Sequence, residues 1–245
     1  MKKLLTLAAA ALALSATVAS AQNLPGGSIH MGWMDCYFGG AGGVANQAFV
    51  CNTNAGAAFI AFASVVPPTG LTQYVGSAAV FDIQSSAASL PLWWQYGGCR
   101  LSTSLTAAAA AGVTTCPDLT NNPQFGGIDY NFTNNPARAR LRTAYAMDAG
   151  LAGPVSDAEE LTVLQLSINR NRTTGTGSCA GCLTPVCIVF NSLLLDQVNP
   201  SLPKGYVVSG EQQWLTWQGA NAQVPCPAAT PTQSKTWGQV KSLYR

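Results

Sequence analysis

The chain has 245 residues, of which 48% are hydrophobic and only 9% are charged, and its formal net charge is +2. Nucleic-acid binding requires a cluster of basic side chains, so a nearly neutral chain argues against nucleic acid as a partner. With so few charges, the surface takes its polarity from Ser, Thr, Asn, Gln and Gly. Such a surface suits contact with a glycan or with another protein.

The first 21 residues have the pattern of a signal peptide. Lys2 and Lys3 precede an apolar stretch over residues 4–18, and small residues lead up to Ala21. Cleavage near Ala21 leaves residues 22–245, which is 245 − 21 = 224 residues with no net formal charge once the two lysines are removed. This predicts a single secreted domain, extracellular or periplasmic, without a membrane span in the mature chain.

Eight cysteines follow the predicted cleavage site: Cys36, Cys51, Cys99, Cys116, Cys179, Cys182, Cys187 and Cys226. An even number of cysteines in an exported protein predicts disulfides. The sequence does not select among the possible pairings. The simplest expectation pairs neighbours, Cys36 with Cys51 and Cys99 with Cys116.

Short runs of aromatic and β-branched residues, separated by turn residues, predict strands. In chain order these predicted strands cover residues 47–51, 57–66, 73–84, 161–170, 186–195, 205–209 and 212–218. Residues 105–113 and 136–147 are candidates for helices, although the second segment alternates as a strand does. The prediction is an all-β fold, a disulfide-stapled antiparallel β-sandwich with either jelly-roll or immunoglobulin-like topology.

Arg138, Arg140 and Arg142 alternate with uncharged residues, so on a strand all three share one face. The first interpretation is a solvated edge strand whose charges prevent aggregation. The alternative is a binding site for an anionic sugar or a carboxylate.

Trp93 and Trp94 are adjacent, so on a strand they point to opposite faces and one of them could be exposed. An exposed tryptophan beside neutral polar residues would stack on a sugar ring. The favoured interpretation is one core tryptophan with its partner at a sheet edge.

The cluster formed by Cys179, Cys182 and Cys187 allows three interpretations. A zinc site would need a fourth ligand from far along the chain, and a redox pair normally sits at the start of a helix in an α/β fold. Structural disulfides, one of them to Cys226, are favoured. No cofactor and no metal site is therefore expected.

The sequence argues against a serine hydrolase, because His30 is the one histidine and lies in a stretch expected to be mobile. A glycosidase acid pair stays open, since any two of the ten acidic residues could meet across a cleft. Residues 129–134, starting at Asp129, are interpreted as a turn first and as a calcium site second.

Two segments, C-A-G-C-L-T-P-V-C-I-V at residues 179–189 and T-W-G-Q-V-K-S-L-Y-R at 236–245, resemble a family of secreted, cysteine-containing bacterial proteins. The resemblance extends to Trp94, to Gly98-Cys99-Arg100 and to residues 137–143. It implies secretion and one shared fold, and no catalytic residue is carried over.

The sequence thus favours a non-enzymatic extracellular domain that acts by binding or by assembly at the cell surface, with itself or a glycan as partner. The alternative is a carbohydrate-binding or carbohydrate-active protein that uses exposed tryptophans and an acid pair. Trp237, Val240 and Leu243 are spaced by three, so residues 236–245 could close the domain as a last strand or dock into a neighbouring subunit.

Overall fold

A computed structural model describes residues 23–37, 42–109, 112, 114–219 and 226. The predicted signal peptide and the segment 236–245 lie outside these described residues. Within the described part of the chain the strands are β1 (Ser28–Trp33), β2 (Asn46–Gln47), β3 (Phe59–Val66), β4 (Tyr74–Gln84), β5 (Leu105–Ala109), β6 (Phe125–Phe132), β7 (Arg138–Ala146), β8 (Leu161–Ile168), β9 (Val186–Gln197), β10 (Gly205–Val207) and β11 (Trp214–Trp217).

The strands form two packed sheets. The smaller sheet has the order β1-β3-β8-β5, and the larger has the order β2-β11-β9-β4-β7-β6, with β10 paired to the free part of β9. Every pairing is antiparallel except that of β11 with β2. The predicted all-β, disulfide-stapled sandwich is confirmed.

Alternation along the strands separates the core from the outer faces. On β4, Phe81 and Ile83 belong to the core, whereas Asp82 and Gln84 point to the opposite side of the larger sheet. The core continues through Phe190 on β9, which stacks on Phe81 with ring centroids 4.5 Å apart. The strands of the larger sheet therefore carry a second face, turned away from the core.

One end of the core is an aromatic cluster. Trp217 on β11 contacts Trp33, Trp93 and Trp94, and all four side chains are fully buried. Trp93 and Trp94 lie in a short 3₁₀ turn, Leu92–Trp94, and not on a strand. Because consecutive side chains in such a tight turn do not alternate between two faces, both rings can enter the same core.

Four disulfides link distant parts of the chain: Cys36–Cys116, Cys51–Cys182, Cys99–Cys179 and Cys187–Cys226. The expected pairing of sequence neighbours, Cys36 with Cys51 and Cys99 with Cys116, is wrong. Sheet topology decides the pairing, because bringing strands together places cysteines 39 to 131 residues apart within bonding distance. The predicted bond from the 179–187 cluster to Cys226 is confirmed.

Most predicted strands are found with shifted ends, and the two helical candidates are strands β5 and β7. Two strands were not expected. β1 forms where a mobile terminus was predicted, and β6 includes residues 129–132, which were interpreted as a turn. Among the described residues, no helix has the length and apolar character needed to cross a membrane.

Candidate functional site

Strand β6 is an open edge of the larger sheet. Within the described part of the chain it pairs only with β7, and six of its eight residues are exposed while none is buried. An open edge presents unpaired backbone N–H and C=O groups to any extended chain that approaches it. Proteins usually protect such edges with charged side chains, Pro or a bulge, but β6 contains no Lys or Pro and its register with β7 is continuous. Its one charged residue, Asp129, is paired with Arg142 on β7.

The other sheet edges are shorter or already covered. β2 has two residues and β5 has five. The outer edge of β1 is bonded to the loop before β11, through Ile29 N–H to Ser209 O and Met31 N–H to Gln212 O. The edge of β6 is therefore the longest one that the described residues leave open.

A flat shelf of small residues adjoins this edge. Phe125, Ala146, Gly76 and Asp196 form one row across strands β6, β7, β4 and β9. The next row toward the middle of the strands is Gly127, Ala144, Ala78 and Leu194, so three of its four positions carry no more than a methyl group above the backbone. The two ends of a row are three inter-strand spacings apart, a distance of about 14 Å.

The shelf is bounded by one aromatic ring and one ion pair. Phe125 is 76% exposed, and Asp196 at the other end of its row lies 2.5 Å from the ammonium group of Lys204. Phe125 and Asp196 both line a cavity of about 420 Å³ that is open to solvent. A cavity of this size can hold a small ligand or the side chains of an extended partner strand.

The three arginines of β7 share two carboxylates on the flanking strands. Arg140 makes two hydrogen bonds to Asp82, of 2.8 and 3.1 Å, which raise the pKa of its guanidinium, and Arg138 lies 3.7 Å from the same carboxylate. Arg142 lies 3.5 Å from Asp129. Since β7 is an interior strand between β4 and β6, the prediction of an edge strand is wrong.

This arrangement restricts what the arginines can bind. Asp82 is 0% exposed, and both of its carboxylate oxygens accept hydrogen bonds from Arg140. An anionic ligand would therefore have to compete with Asp82 for the Arg140 guanidinium. Arg142 is the most exposed of the three and faces Asp129 across the strands. Asp129 also accepts a hydrogen bond of 2.6 Å from the Asn131 amide, so its carboxylate already has two partners.

The tryptophans predicted as a possible ligand surface are buried. Trp93 and Trp94 are both 0% exposed, so both are core residues and neither is the sheet-edge partner that was expected. No ring face is left for a sugar. Arg100, 1% exposed, lies 3.9 Å above the Trp93 ring and donates to Trp93 O and Asn169 Oδ1. Burial lowers the pKa of Arg100, while the nearby Tyr96 opposes that shift.

The cysteine cluster has no free thiol. Cys179 and Cys182 are bonded to Cys99 and Cys51, and all eight cysteines of the chain form disulfides. A disulfide sulfur carries no thiolate charge, so in this state the cluster offers zinc no thiolate ligand and no redox nucleophile. The structural interpretation of the cluster is confirmed.

His30 lies on β1 and not in a mobile terminus. Its Nε2 and Ser28 Oγ are 2.7 Å apart, the contact of a nucleophile and its base in hydrolases. The ring is 1% exposed, however, so a substrate could not reach the base without opening the sheet. Burial lowers the pKa of His30 below 6.5, and the charge of Glu211 opposes this to a smaller extent.

This lowered pKa predicts a loss of stability in mild acid. The unfolded chain binds a proton near pH 6.5 while the folded chain resists it, so the free energy of unfolding falls as pH drops below about 7, with a slope of at most about 1.4 kcal/mol per pH unit. Urea titrations from pH 7.5 to 5.5 measure this slope. We expect His30→Gln to flatten it, and equal slopes in both proteins would contradict the prediction.

The chain matches no protein-family model, no curated protein and no solved structure. The disulfide-rich all-β fold is compatible with a secreted extracellular or periplasmic domain. The features that point to a function are β6 and Phe125, and no motif in the sequence predicts either of them. The Gly126-Gly127 pair of β6 has the local composition of a turn, which is why the sequence does not reveal this strand.

Proposed function

We propose that this protein is a secreted domain that assembles at the cell surface by adding an extended strand to the open edge of β6, and that the partner is a second copy of the chain. The observation that carries the proposal is the unprotected eight-residue edge of β6. Backbone hydrogen bonds supply affinity in this mode of recognition, and side-chain pockets beside the edge supply specificity.

The side chains beside the edge support this mode. Phe125 and Phe132, at the two ends of β6, are 76% and 50% exposed. Exposed phenylalanines at both ends of an open strand would be shielded from water by a partner that pairs along its whole length. The nearly neutral surface that the sequence implies presents little charge repulsion to such pairing.

The charge pattern of β6 is compatible with self-pairing. Two antiparallel copies related by a two-fold axis at Ile128 would place Asp129 of each chain opposite Gly127 of the other. The carboxylates would then not face each other, and like charges directly opposite are what normally disfavours such a pair. A two-fold arrangement of this kind closes after two chains.

A charged edge is expected to abolish assembly. The variant Phe125→Lys/Gly127→Lys adds the two lysines that protected edges carry, and Gly127 tolerates a side chain because a Cβ there has no neighbour within 4 Å. Gly126 is unsuitable, since its Cβ would overlap Ala144 O. Light scattering of the mature, oxidised chain over a concentration series should show a dimer that the variant loses.

Leu183→Lys is the matched control, because Leu183 is an equally exposed apolar residue outside the strands. We expect this variant to assemble like the unmodified chain. A mature chain that stays monomeric up to millimolar concentration contradicts the proposal. So does a lysine variant of β6 that still dimerises with unchanged affinity.

A glycan is a second candidate ligand, and the Phe125 row favours it. An exposed ring at one end and the Asp196–Lys204 ion pair at the other offer stacking and hydrogen bonding to a sugar across a flat floor. A glycan array with the mature chain and with Phe125→Ala tests this candidate. Binding that requires the ring supports the glycan candidate, and an array without signal excludes it.

The resemblance to secreted bacterial proteins stays a prediction.

A further inference from the structure

A buried carboxylate lies beside one of the four disulfides. Glu160, which precedes β8, is 6% exposed, and its Oε2 lies 3.3 Å from the sulfur of Cys116. Cys116 is bonded to Cys36, and the two sulfurs and a carboxylate oxygen of Glu160 all lie within 4.8 Å of one another. Two thiolates and a carboxylate are ligands that zinc accepts in proteins. In the oxidised chain the disulfide prevents this use, because neither sulfur carries a negative charge.

The spacing of these atoms is close to that of a tetrahedral metal site. With zinc–sulfur and zinc–oxygen bonds of about 2.3 and 2.1 Å, a tetrahedron separates a sulfur from an oxygen by about 3.6 Å and two sulfurs by about 3.8 Å. The distance of 3.3 Å between Cys116 Sγ and Glu160 Oε2 is already near the first value. The two bonded sulfurs must move apart, and reduction of the disulfide permits that movement.

The segments that carry the two cysteines are joined by hydrogen bonds as well as by the disulfide. Asp35 Oδ1 accepts hydrogen bonds of 2.8 Å from Cys36 N–H and from Thr115 N–H, and a third of 3.2 Å from the Thr115 hydroxyl. Thr115 precedes Cys116, so these bonds hold Cys36 beside the other cysteine. Because they do not involve the sulfurs, we expect them to keep the two side chains together after the disulfide is reduced.

Glu160 is held in place by the smaller sheet. Ser64 on β3 donates a hydrogen bond of 2.5 Å to Glu160 Oε1, while Oε2 is the oxygen nearest to Cys116. Thr162 N–H on β8 donates to Pro117 O, with a distance of 2.8 Å, and so holds the residue after Cys116 along the same strand. A hydrogen bond to the second oxygen of a ligating carboxylate orients that ligand toward the metal.

We propose that Cys36, Cys116 and Glu160 form a zinc site that opens when a thiol reductant breaks the Cys36–Cys116 disulfide. A dithiol supplies two electrons and two protons, so that both cysteines become thiols and the reductant becomes its cyclic disulfide. Zinc then binds the two sulfurs and Glu160 Oε2, and the two thiol protons leave to solvent. Cys116 is partly exposed, which gives a water molecule access to the fourth position. The site lies at the smaller sheet and does not depend on assembly through β6.

Cobalt(II) binds the same kinds of ligand as zinc and reports thiolate ligation by its absorption, so it is the probe. The mature chain is reduced briefly with a dithiol, and the reductant is removed without air. Alkylation and peptide mapping then identify samples in which Cys36 and Cys116 are free and the other disulfides are intact. We expect one cobalt ion per chain with a sulfur-to-cobalt charge-transfer band in these samples, and no such band in the oxidised chain.

Three variants locate the metal. Glu160→Gln should weaken cobalt binding about tenfold or more, because the charged oxygen ligand is lost. Ser64→Ala should weaken it roughly 10- to 100-fold, the usual effect of removing a hydrogen bond to a metal ligand. Glu159→Gln is the matched control, because Glu159 is the exposed neighbour of Glu160 in the chain, and it should bind cobalt like the unmodified protein.

Reduced samples that bind no cobalt overturn the proposal, and so does binding that Glu160→Gln leaves unchanged. Equal binding by Cys36→Ser/Cys116→Ser after the same treatment also overturns it, because other thiols would then hold the metal. Where the disulfide cannot be opened alone, Cys116→His provides the second measurement. This variant keeps the other three disulfides and offers a thiolate, an imidazole and the carboxylate without any reductant. It should bind one zinc ion in calorimetric titration, and the absence of binding contradicts the proposal.

Discussion

Replacing Trp217 with alanine is expected to lower the free energy of unfolding by about 3 to 5 kcal/mol, the cost of removing a large buried aromatic side chain. The ring is 0% exposed and its Nε1 donates a hydrogen bond of 2.6 Å to Cys182 O. Its centroid lies between 4.4 and 6.1 Å from five aromatic rings, those of Phe49, Phe59, Trp93, Trp94 and Trp33. Alanine would leave a cavity between them, and Cys182 O would keep only the longer hydrogen bond of 3.3 Å from Gln218 Nε2.

Trp214 provides the matched control on the same strand. It lies on the outer face of β11 and is only partly buried, so Trp214→Ala should lower the free energy of unfolding much less than Trp217→Ala. Urea denaturation of the oxidised proteins, followed by circular dichroism, compares the two. Equal losses in the two variants would mean that the aromatic cluster does not determine stability.

The strands were predictable wherever local pattern and tertiary environment agree. The alternation in Leu161–Ile168 and the apolar run in Val186–Gln197 both predict strands, so β8 and β9 follow from the sequence. β8 is more buried than its alternation suggests, with six of its eight residues buried. β6 did not follow, because an edge strand with two glycines and polar residues has the local composition of a turn. Its pairing with β7, the next strand along the chain, makes it a strand, and a window confined to β6 does not contain that partner.

The candidate site was predictable only in part. The shared face of Arg138, Arg140 and Arg142 follows from their spacing, but their partners Asp82 and Asp129 belong to other strands. Spacing alone also gave Trp93 and Trp94 opposite faces, whereas the proline-led 3₁₀ turn sends both into the core. Which carboxylates pair with the arginines, and whether the tryptophans are buried, depend on how distant strands are arranged. No short segment of the sequence determines that arrangement.

Removing the Cys51–Cys182 disulfide by a double alanine substitution is expected to lower the free energy of unfolding by about 5 kcal/mol if restriction of the unfolded chain dominates. This bridge closes the longest segment, with a separation of 131 residues. Cys36–Cys116 and Cys99–Cys179 both close 80 residues, so their removal should cost about 4.5 kcal/mol each. Guanidinium unfolding of the three double variants measures the order of these losses. Losses that do not increase with the length of the closed segment would contradict the prediction.

The fourth bridge separates loop closure from packing around the disulfide. Cys187–Cys226 closes only 39 residues, so loop entropy alone predicts the smallest loss of the four, about 4 kcal/mol. Cys187 is buried on β9, so its replacement by alanine also removes packing from the sheet. If the double variant loses less free energy of unfolding than the variants of the two 80-residue bridges, loop closure sets the order. A loss larger than theirs would show that packing around Cys187 outweighs the length of the closed segment.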